Sequence, residues 1–454
     1  MNKRTAFLSI ALLVTLKVFS GGILENTNQS INFLRNPSRD ATIGIDGVYS
    51  NPAGVAFIDD GWHLQLNWMM VHQDRDTWSG FEFPGYGKLL QYNAKIPAVQ
   101  SADYRKKYEG NVDVPCQPSL NLVYNKKDWS FQFGFGFVGG GGGCEYADGI
   151  GSFESLVAMS GISALAKQGM KMKTYSLDSY MKGTSYDLGI TLGAARRITD
   201  KISAYAGLRS IVLLNNYKGH LKDIAFTVTN GMEVTGEQYL LDCRQNAFGI
   251  APIIGIDYRI NNHWNVAAKY EFRTKLNAKT TADNSENFTQ LAQTSSSFAG
   301  YVDRAETRQD LPAYFSFGVQ YSPIPSVNIC GGYHRYFDAD TKQFSADKVD
   351  DTNEMTLGIE YRIMKHVEVS GGMQKTWYHV DDSFNTDASF VLNSYTLGCG
   401  VGVDLSKMVT LNLAYFQTNY KNKEVMTTTE TGLTTSTKYR RSNRIIGVGI
   451  DINF

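Results

Sequence analysis

Over the last nine residues, Ile446, Val448, Ile450, Ile452 and Phe454 alternate with Gly447, Gly449, Asp451 and Asn453. Successive side chains of a strand point to opposite faces, so such a segment has one apolar face and one polar or small face. The pattern recurs upstream. Trp129, Phe131, Phe133, Phe135 and Phe137 alternate with Ser130, Gln132, Gly134 and Gly136. Met355, Leu357, Ile359 and Tyr361 alternate with Thr356, Gly358, Glu360 and Arg362. Tyr395, Leu397, Cys399, Val401 and Val403 alternate with Thr396, Gly398, Gly400, Gly402 and Asp404.

Fourteen such segments are predicted, near 62–72, 118–125, 128–138, 183–198, 201–217, 245–260, 263–276, 312–322, 325–337, 352–363, 366–378, 389–404, 408–420 and 439–454. Six connections are tight, such as Asn125-Lys126-Lys127-Asp128, Thr199-Asp200-Lys201 and Asn261-Asn262. Seven are long, including 73–117, 139–182, 218–244 and 277–311, and short and long connections alternate. An even strand number with short turns at one rim and long loops at the other marks an outer-membrane barrel. The expected fold class is all-β, a 14-stranded antiparallel transmembrane β-barrel. A soluble β-sandwich alternates too, but its outer face would not carry aromatics near the strand ends, and a secreted one more often holds paired cysteines.

Composition agrees. Lys+Arg and Asp+Glu are both 44 in 454 residues, and a neutral chain lacks the basic surface that nucleic acid requires. After the first twenty residues no apolar run approaches the roughly 20 residues of a membrane helix. Tyr 26, Phe 24 and Gly 43 against only Pro 10 argue against disorder.

Residues 1–22 read as a signal peptide: Asn2, Lys3 and Arg4, an apolar stretch from Ala6 to Phe19, then Ser20, Gly21 and Gly22. Residues 23–61 do not alternate. Leu34, Ile43, Ile45, Val48, Val55, Phe57 and Ile58 make this segment too apolar for a free tail, so it is expected to plug the barrel of residues 62–454 as a small N-terminal hatch. By parity the lumen receives Arg209, Asp257, Arg259, Lys269, Glu271, Arg273, Glu360, Arg362, Glu368, Asp404, Arg441 and Asp451. These read as a solvated interior of crossed salt bridges; the functional reading beside it is that a few of the cations meet an anionic ligand head group.

With Ser50-Asn51-Pro52-Ala53-Gly54 just before the first strand, a hatch of about forty residues, fourteen strands, and long loops after strands three and five, the sequence resembles the FadL/TodX family. Those are outer-membrane transporters of long-chain fatty acids and other hydrophobic compounds. Ile23-Leu24-Glu25-Asn26 is less rich in glycine and serine than the usual hatch start. The resemblance implies a hatch motif at Asn51, Pro52, Ala53 and Gly54. If the hatch gates transport, Asn51 and Pro52 are expected to hold its final turn against the first strand, proline fixing its own φ and biasing Asn51 towards an extended conformation. It also implies a kink in strand three that opens the wall sideways, for which Gly139, Gly140, Gly141, Gly142 and Gly143 are the candidates. The same glycines also read as a flexible loop entry. Gly134-Phe135-Gly136-Phe137-Val138-Gly139 has the letters of a dinucleotide fingerprint without the strand-to-helix context that a phosphate cradle needs.

A helix is predicted near 152–168, capped by Ser152, with Glu154 in its first turn and Lys167 and Gly169 at its end. Its Phe153, Leu156, Val157, Met159, Ile162 and Leu165 need a partner. Packing against 218–244, with Ile224, Phe226, Val228, Met232 and Val234, answers that need, and a ligand-collecting groove between the two does not conflict with it. Cys330 and Cys399 read as packing residues, while Cys116, Cys144 and Cys243 leave room for one loop disulfide. The acidic loop from Asp338 to Glu354, with Asp340, Asp350 and Asp351, reads as solvated, with a divalent cation near lipopolysaccharide as the other reading.

No zinc or nucleophile-elbow motif appears, so neither enzyme activity nor a metal or cofactor is expected. The expected function is passive uptake of a hydrophobic small molecule, fatty acid or detergent-like, across the outer membrane of a Gram-negative bacterium. Loop capture, a pocket above the hatch and a sideways exit near strand three follow from the resemblance. A polar-solute porin and a surface adhesin are the alternatives. Expected partners are outer-membrane lipid, lipopolysaccharide and the barrel-assembly machinery, which would read the terminal Phe454; a monomer is expected.

Overall fold

The computed structural model describes residues 23–24, 27–89, 105–295, 297–341, 348–429 and 432–454. The predicted signal peptide, together with Glu25 and Asn26, lies outside them. Fourteen long strands form one antiparallel barrel: β1 (Gly61–Phe83), β2 (Lys106–Lys126), β3 (Trp129–Tyr146), β4 (Met172–Arg197), β5 (Ile202–Val228), β6 (Tyr239–Arg259), β7 (Trp264–Glu271), β8 (Tyr314–Ile324), β9 (Val327–Tyr336), β10 (Thr352–Met364), β11 (Val367–Trp377), β12 (Ser394–Asp404), β13 (Val409–Tyr420) and β14 (Thr434–Asn453). The barrel closes where β14 pairs with β1. At that seam Trp62 N–H donates to Phe454 O at 2.7 Å and Phe454 N–H to Trp62 O at 2.9 Å. Closure gives each of the fourteen strands a neighbour on both sides, as a sheet in hydrocarbon requires.

The alternating apolar residues face outward. Trp68, Leu192, Phe248, Leu357, Leu397 and Ile446 are all exposed on the barrel wall. A continuous exposed apolar band is stable in hydrocarbon and not in water. Trp62, Trp129 and Trp264 sit beside the short turns and make an aromatic girdle; the ring of Trp62 lies 4.7 Å from Tyr124, and that of Trp264 is stacked 4.4 Å from Tyr321.

The strands at one rim are much longer than their hydropathy. Most of the expected loop at 73–117 is β1 and β2, and β3 to β6 extend likewise to Tyr146, Met172, Val228 and Tyr239. There both faces are polar or mixed, as at Asp74, Asp76, Lys107 and Glu109, so no alternation marks them. Two ends fall short. β7 stops at Glu271, not 276: Phe272 N–H still bonds Pro252 O at 3.0 Å, but Pro252 has no N–H to return, and pairing with β6 resumes one residue out of register at Lys279↔Asn246. Residues 389–393 belong to the β11–β12 loop, which folds inward and buries Phe390.

The hatch fills the lumen. Helix α1 (Ile31–Arg35) is capped by Ser30, whose hydroxyl accepts from Asn32 N–H at 3.2 Å, and 3-10 turns follow at Ile45–Val48 and Gly54–Phe57. Ile31 and Leu34 press on the small inner faces of β12 and β14. A Cβ on Gly447 would lie 2.4 Å from Ile31 Cδ1, and one on Gly398 2.3 Å from Leu34 O. The glycines that alternate along those strands are thus the seat of α1.

Above the barrel, α2 (Gly151–Lys167) packs against the outer parts of β4 and β5. Phe153, Leu156, Val157, Met159, Ile162 and Leu165 share one apolar cluster with Ile224, Phe226, Val228 and Val234. Ser152 is not the cap. Ile150 holds that position, and Ser152 N–H donates to Asp387 of the β11–β12 loop at 2.5 Å. A carboxylate at a helix N-terminus is favourable, whichever part of the chain supplies it. A third helix, α3 (Glu286–Thr294), joins the same cluster through Phe288 and Leu291.

Candidate functional site: the hatch, the lumen and the wall

Every residue of the Asn51-Pro52-Ala53-Gly54 turn contributes to its seat. Asn51 Nδ2 donates to Asp257 of β6 at 2.6 Å and to Thr42 O at 3.3 Å, while Asn51 Oδ1 accepts from Gly54 N–H at 3.1 Å. Gln132 of β3 donates to Pro52 O at 2.7 Å, and Ser203 of β5 to Ala53 O at 2.6 Å. Space at Gly54 is closed off by Asn51 and Asp257: an added Cβ would lie 2.3 Å from Asn51 Nδ2. The turn is therefore held by β3, β5 and β6, not by the first strand. Proline has no N–H, so the backbone of Pro52 can only accept, and its carbonyl does so from Gln132.

Crossed ion pairs hold the rest of the hatch. Arg39 bonds Asp46 at 2.7 Å and also reaches Glu360 of β10. Arg35 bonds Glu368 of β11 at 2.8 Å. The ring of His334 lies between Asp40 and Glu354, 2.9 Å from each. In the wall itself Arg209 pairs with Glu271 at 2.7 Å and Arg362 with Asp404 at 2.8 Å. Gln65 donates to Asp451 at 2.9 Å, Lys269 donates to Tyr49 O at 2.5 Å, Arg259 stacks on Phe57, and Arg273 lies 3.9 Å from Asp310. The residues assigned to the lumen by parity face it within the strands, and most are matched by an opposite charge or a carbonyl; Arg273 lies beyond the end of β7, where the buried parity passes to Thr274 and Leu276. Removing one partner of a buried pair such as Arg39–Asp46 or Arg209–Glu271 would strand a buried charge.

Above the hatch lies a cavity of about 250 Å³, lined by apolar Ile23, Leu24 and Val71 and by polar Arg75, Asp187 and Arg441. Arg75 and Arg441 face each other across the β1–β14 ladder, and each lies over an aromatic ring: Phe390 at 4.8 Å and Tyr420 at 4.6 Å. Sequence reading placed Arg441 in the lumen and missed Arg75, because residues 73–117 read as loop. A smaller crevice of about 30 Å³ opens between α2 and α3, and Phe153, Leu156, Leu241, Phe288 and Leu291 line it. It gathers Phe153 and Leu156 of the expected collecting residues; Phe226, Val157 and Leu165 lie in the packed cluster beside it.

The same cavity reaches a break in the wall. Strands β2 and β3 pair at Val112↔Cys144 and again from Leu120↔Phe135, and among the described residues no pair is made between them. Opposite, β3 slips against β4 at Phe137/Gly139 and at Gly139/Gly142. Gly140 has φ +76° and Gly142 φ +83°, a region L side chains rarely adopt. The five glycines lie within β3, not at a loop entry. Sequence reading placed the irregularity on β3 alone, yet Pro115 and Pro118 lie on the facing stretch of β2. Their signal was legible, since proline inside a strand cannot donate to a ladder.

The remaining candidates are simpler. All five cysteines are free thiols, so the loop cysteines make no disulfide. Asp351 is engaged by Arg335 at 2.7 Å, and among the described residues no cluster of three or more metal-ligating side chains forms.

No family model matches the chain, and a comparison with curated proteins finds no match. Solved structures do match. A FadL homologue from Pseudomonas aeruginosa superposes with TM-score 0.68 at 12% identity, covering 96% of this chain and 100% of its own. The toluene transporter TodX of P. putida gives TM-score 0.57 at 14% identity, covering 96% and 99%. The toluene transporter TbuX of Ralstonia pickettii gives 0.54 at 16%, covering 94% and 99%. With its hatch, its fourteen strands and nearly full coverage of both chains, this protein has the fold of the FadL- and TodX-type barrels.

Proposed function

We propose that the protein is an outer-membrane channel of a Gram-negative bacterium through which hydrophobic small molecules, long-chain fatty acids among them, enter passively. The observation that carries this reading is the meeting of the lumenal cavity with the unpaired stretch of wall, both lined by Val112, Gly140 and Gly142. The hatch occupies the direct route downward. An apolar solute gains nothing by entering water there, whereas each CH₂ passed sideways into hydrocarbon is favoured by about 0.8 kcal/mol over water. The apolar crevice beside α2 is the place of first capture. Arg75 and Arg441 suit the carboxylate of an amphipathic ligand, since guanidinium groups take carboxylate oxygens in pairs.

The neighbours described as toluene transporters support the same class of cargo. A polar-solute porin would need an open water-filled lumen, and the anchored hatch argues against it. Lipopolysaccharide and outer-membrane lipid surround the barrel, the assembly machinery inserts it, and it acts as a monomer in this reading.

The test combines two measurements on the intact barrel. Planar-bilayer recordings should be nearly silent, while cells carrying the protein should take up a labelled long-chain fatty acid faster than cells lacking it. A steady ion conductance without fatty-acid uptake would establish the porin reading instead.

A further inference from the structure

Lys126 and Trp129 close the two-residue turn between β2 and β3. The residues that close such a turn exchange N–H···O bonds, and bonded pairs then recur at every second residue. Phe131, Phe133, Phe135 and Phe137 of β3 therefore direct their backbone groups at β2. Continued from Leu120↔Phe135, the register sets Phe137 opposite Pro118. Pro118 has no N–H for that bond. Its other neighbour is not affected. Pro118 faces Trp68, and Trp68 is in phase with Trp62, whose N–H is directed away from β2 to Phe454 O. The missing donor thus falls on the side of the break.

The backbone of Phe137 is nevertheless satisfied, by the hatch. Gln29 Nε2 donates to Phe137 O at 2.6 Å, and Phe137 N–H donates to Gln29 Oε1 at 3.0 Å. The Gln29 backbone carbonyl in turn accepts from Ser119 Oγ of β2 at 3.0 Å. A primary amide carries donor and acceptor side by side, as an extended backbone residue does. Gly136 leaves room for it: an added Cβ would lie 3.3 Å from Gln29 Oε1.

We infer that Gln29 is a latch between hatch and wall, its amide standing in for the strand partner that Pro118 cannot be. While the hatch is seated, the edge of the break is bonded. When Gln29 leaves, the N–H and C=O of Phe137 lose their partner at a depth where water is scarce, and the edge must rearrange. Hatch displacement and widening of the wall are then one event. The inference rests on the proposed passage through the wall.

The test uses the full barrel in lipid nanodiscs and in cells, with Gln29→Leu, Pro118→Ala and the double variant. Gln29→Leu should speed amide exchange at Phe137 by roughly fivefold or more, the effect of losing a hydrogen bond, with exchange at Ile450 unchanged. Adding Pro118→Ala restores a backbone donor at that position and should return the exchange towards the starting rate. Uptake of a labelled long-chain fatty acid should rise with Gln29→Leu and fall with Pro118→Ala. Unchanged exchange at Phe137 in Gln29→Leu would overturn the latch, whatever uptake does. Altered exchange with uptake unchanged in all three variants would overturn the passage through the wall and the gating role with it.

Discussion

Asn51 of the hatch donates its side-chain amide to the Asp257 carboxylate of β6 at 2.6 Å. Its carbonyl oxygen shapes the turn by accepting from Gly54 N–H, so one side chain both forms the last hatch turn and fastens it. Loss of a buried hydrogen bond to a charged group costs about 1.5–3 kcal/mol. Changing Asn51 and Pro52 together to Ala should loosen the hatch by that order while the barrel stays folded, because the strand ladder does not run through them. The check is conductance: the variant should show channel openings that the parent lacks, with heat-modifiable mobility on gels preserved.

On the lipid face, Ile359 is exposed at mid-strand of β10. Ile359→Leu should be neutral. Ile359→Arg should lose about 2–4 kcal/mol, the cost of a central lipid-facing Arg in such barrels. Unfolding of the two variants in urea with lipid present gives the difference directly.

Asp338 lies in the β9–β10 loop, outside the wall, and burial pushes its carboxyl up to about 7 from the ordinary 3.8 against the pull of its bonds to Thr352. The folded loop therefore favours the protonated acid. Its contribution is full below about pH 4, where the unfolded chain is protonated too, and is lost as pH rises through 7. Protease cleavage within 338–352 should accelerate between pH 5 and pH 8.5 in relative terms, after correction for the protease itself. Asp338→Asn should flatten that change.

Alternation revealed the wall because one face of each strand meets lipid and the other meets the hatch; Ile446 and Gly447 are a clear instance. Where both faces meet water or loops, as along Asp74 and Lys107, nothing in the hydropathy distinguishes strand from loop. The Asn51 turn was legible, but its anchors were not, since Gln132, Ser203 and Asp257 are distant in the chain and adjacent only after closure. The cap of α2 failed for the same reason: Asp387 supplies what Ser152 was expected to supply. The glycine run predicts an irregular β3, whereas Pro115 and Pro118 facing it on β2 lie in a stretch whose hydropathy does not mark a strand.

Phe454 exchanges two backbone bonds with Trp62 at the closing seam. Deleting it removes an aromatic terminus and the last rung of closure without touching hatch or loops. Outer-membrane levels of the barrel should fall severalfold at unchanged synthesis, as read by pulse labelling and membrane fractionation. An epitope at exposed Gln293 should meanwhile be reachable on intact cells and one at Asp200 should not, since they lie at opposite rims.

The most direct test of passage through the wall is uptake of a labelled long-chain fatty acid by cells carrying Gly140→Val and Gly142→Val, at matched barrel levels. Both positions have positive φ, and added Cβ atoms would lie 2.3 Å from Ser185 O and 2.5 Å from Val114 Cγ2. Valine cannot hold that backbone, so β3 has to leave its kink and move towards a regular strand. The account predicts that the ligand still binds at the loops and that uptake falls towards the level of cells without the protein. Uptake equal to the parent's would contradict passage through the break between β2 and β3.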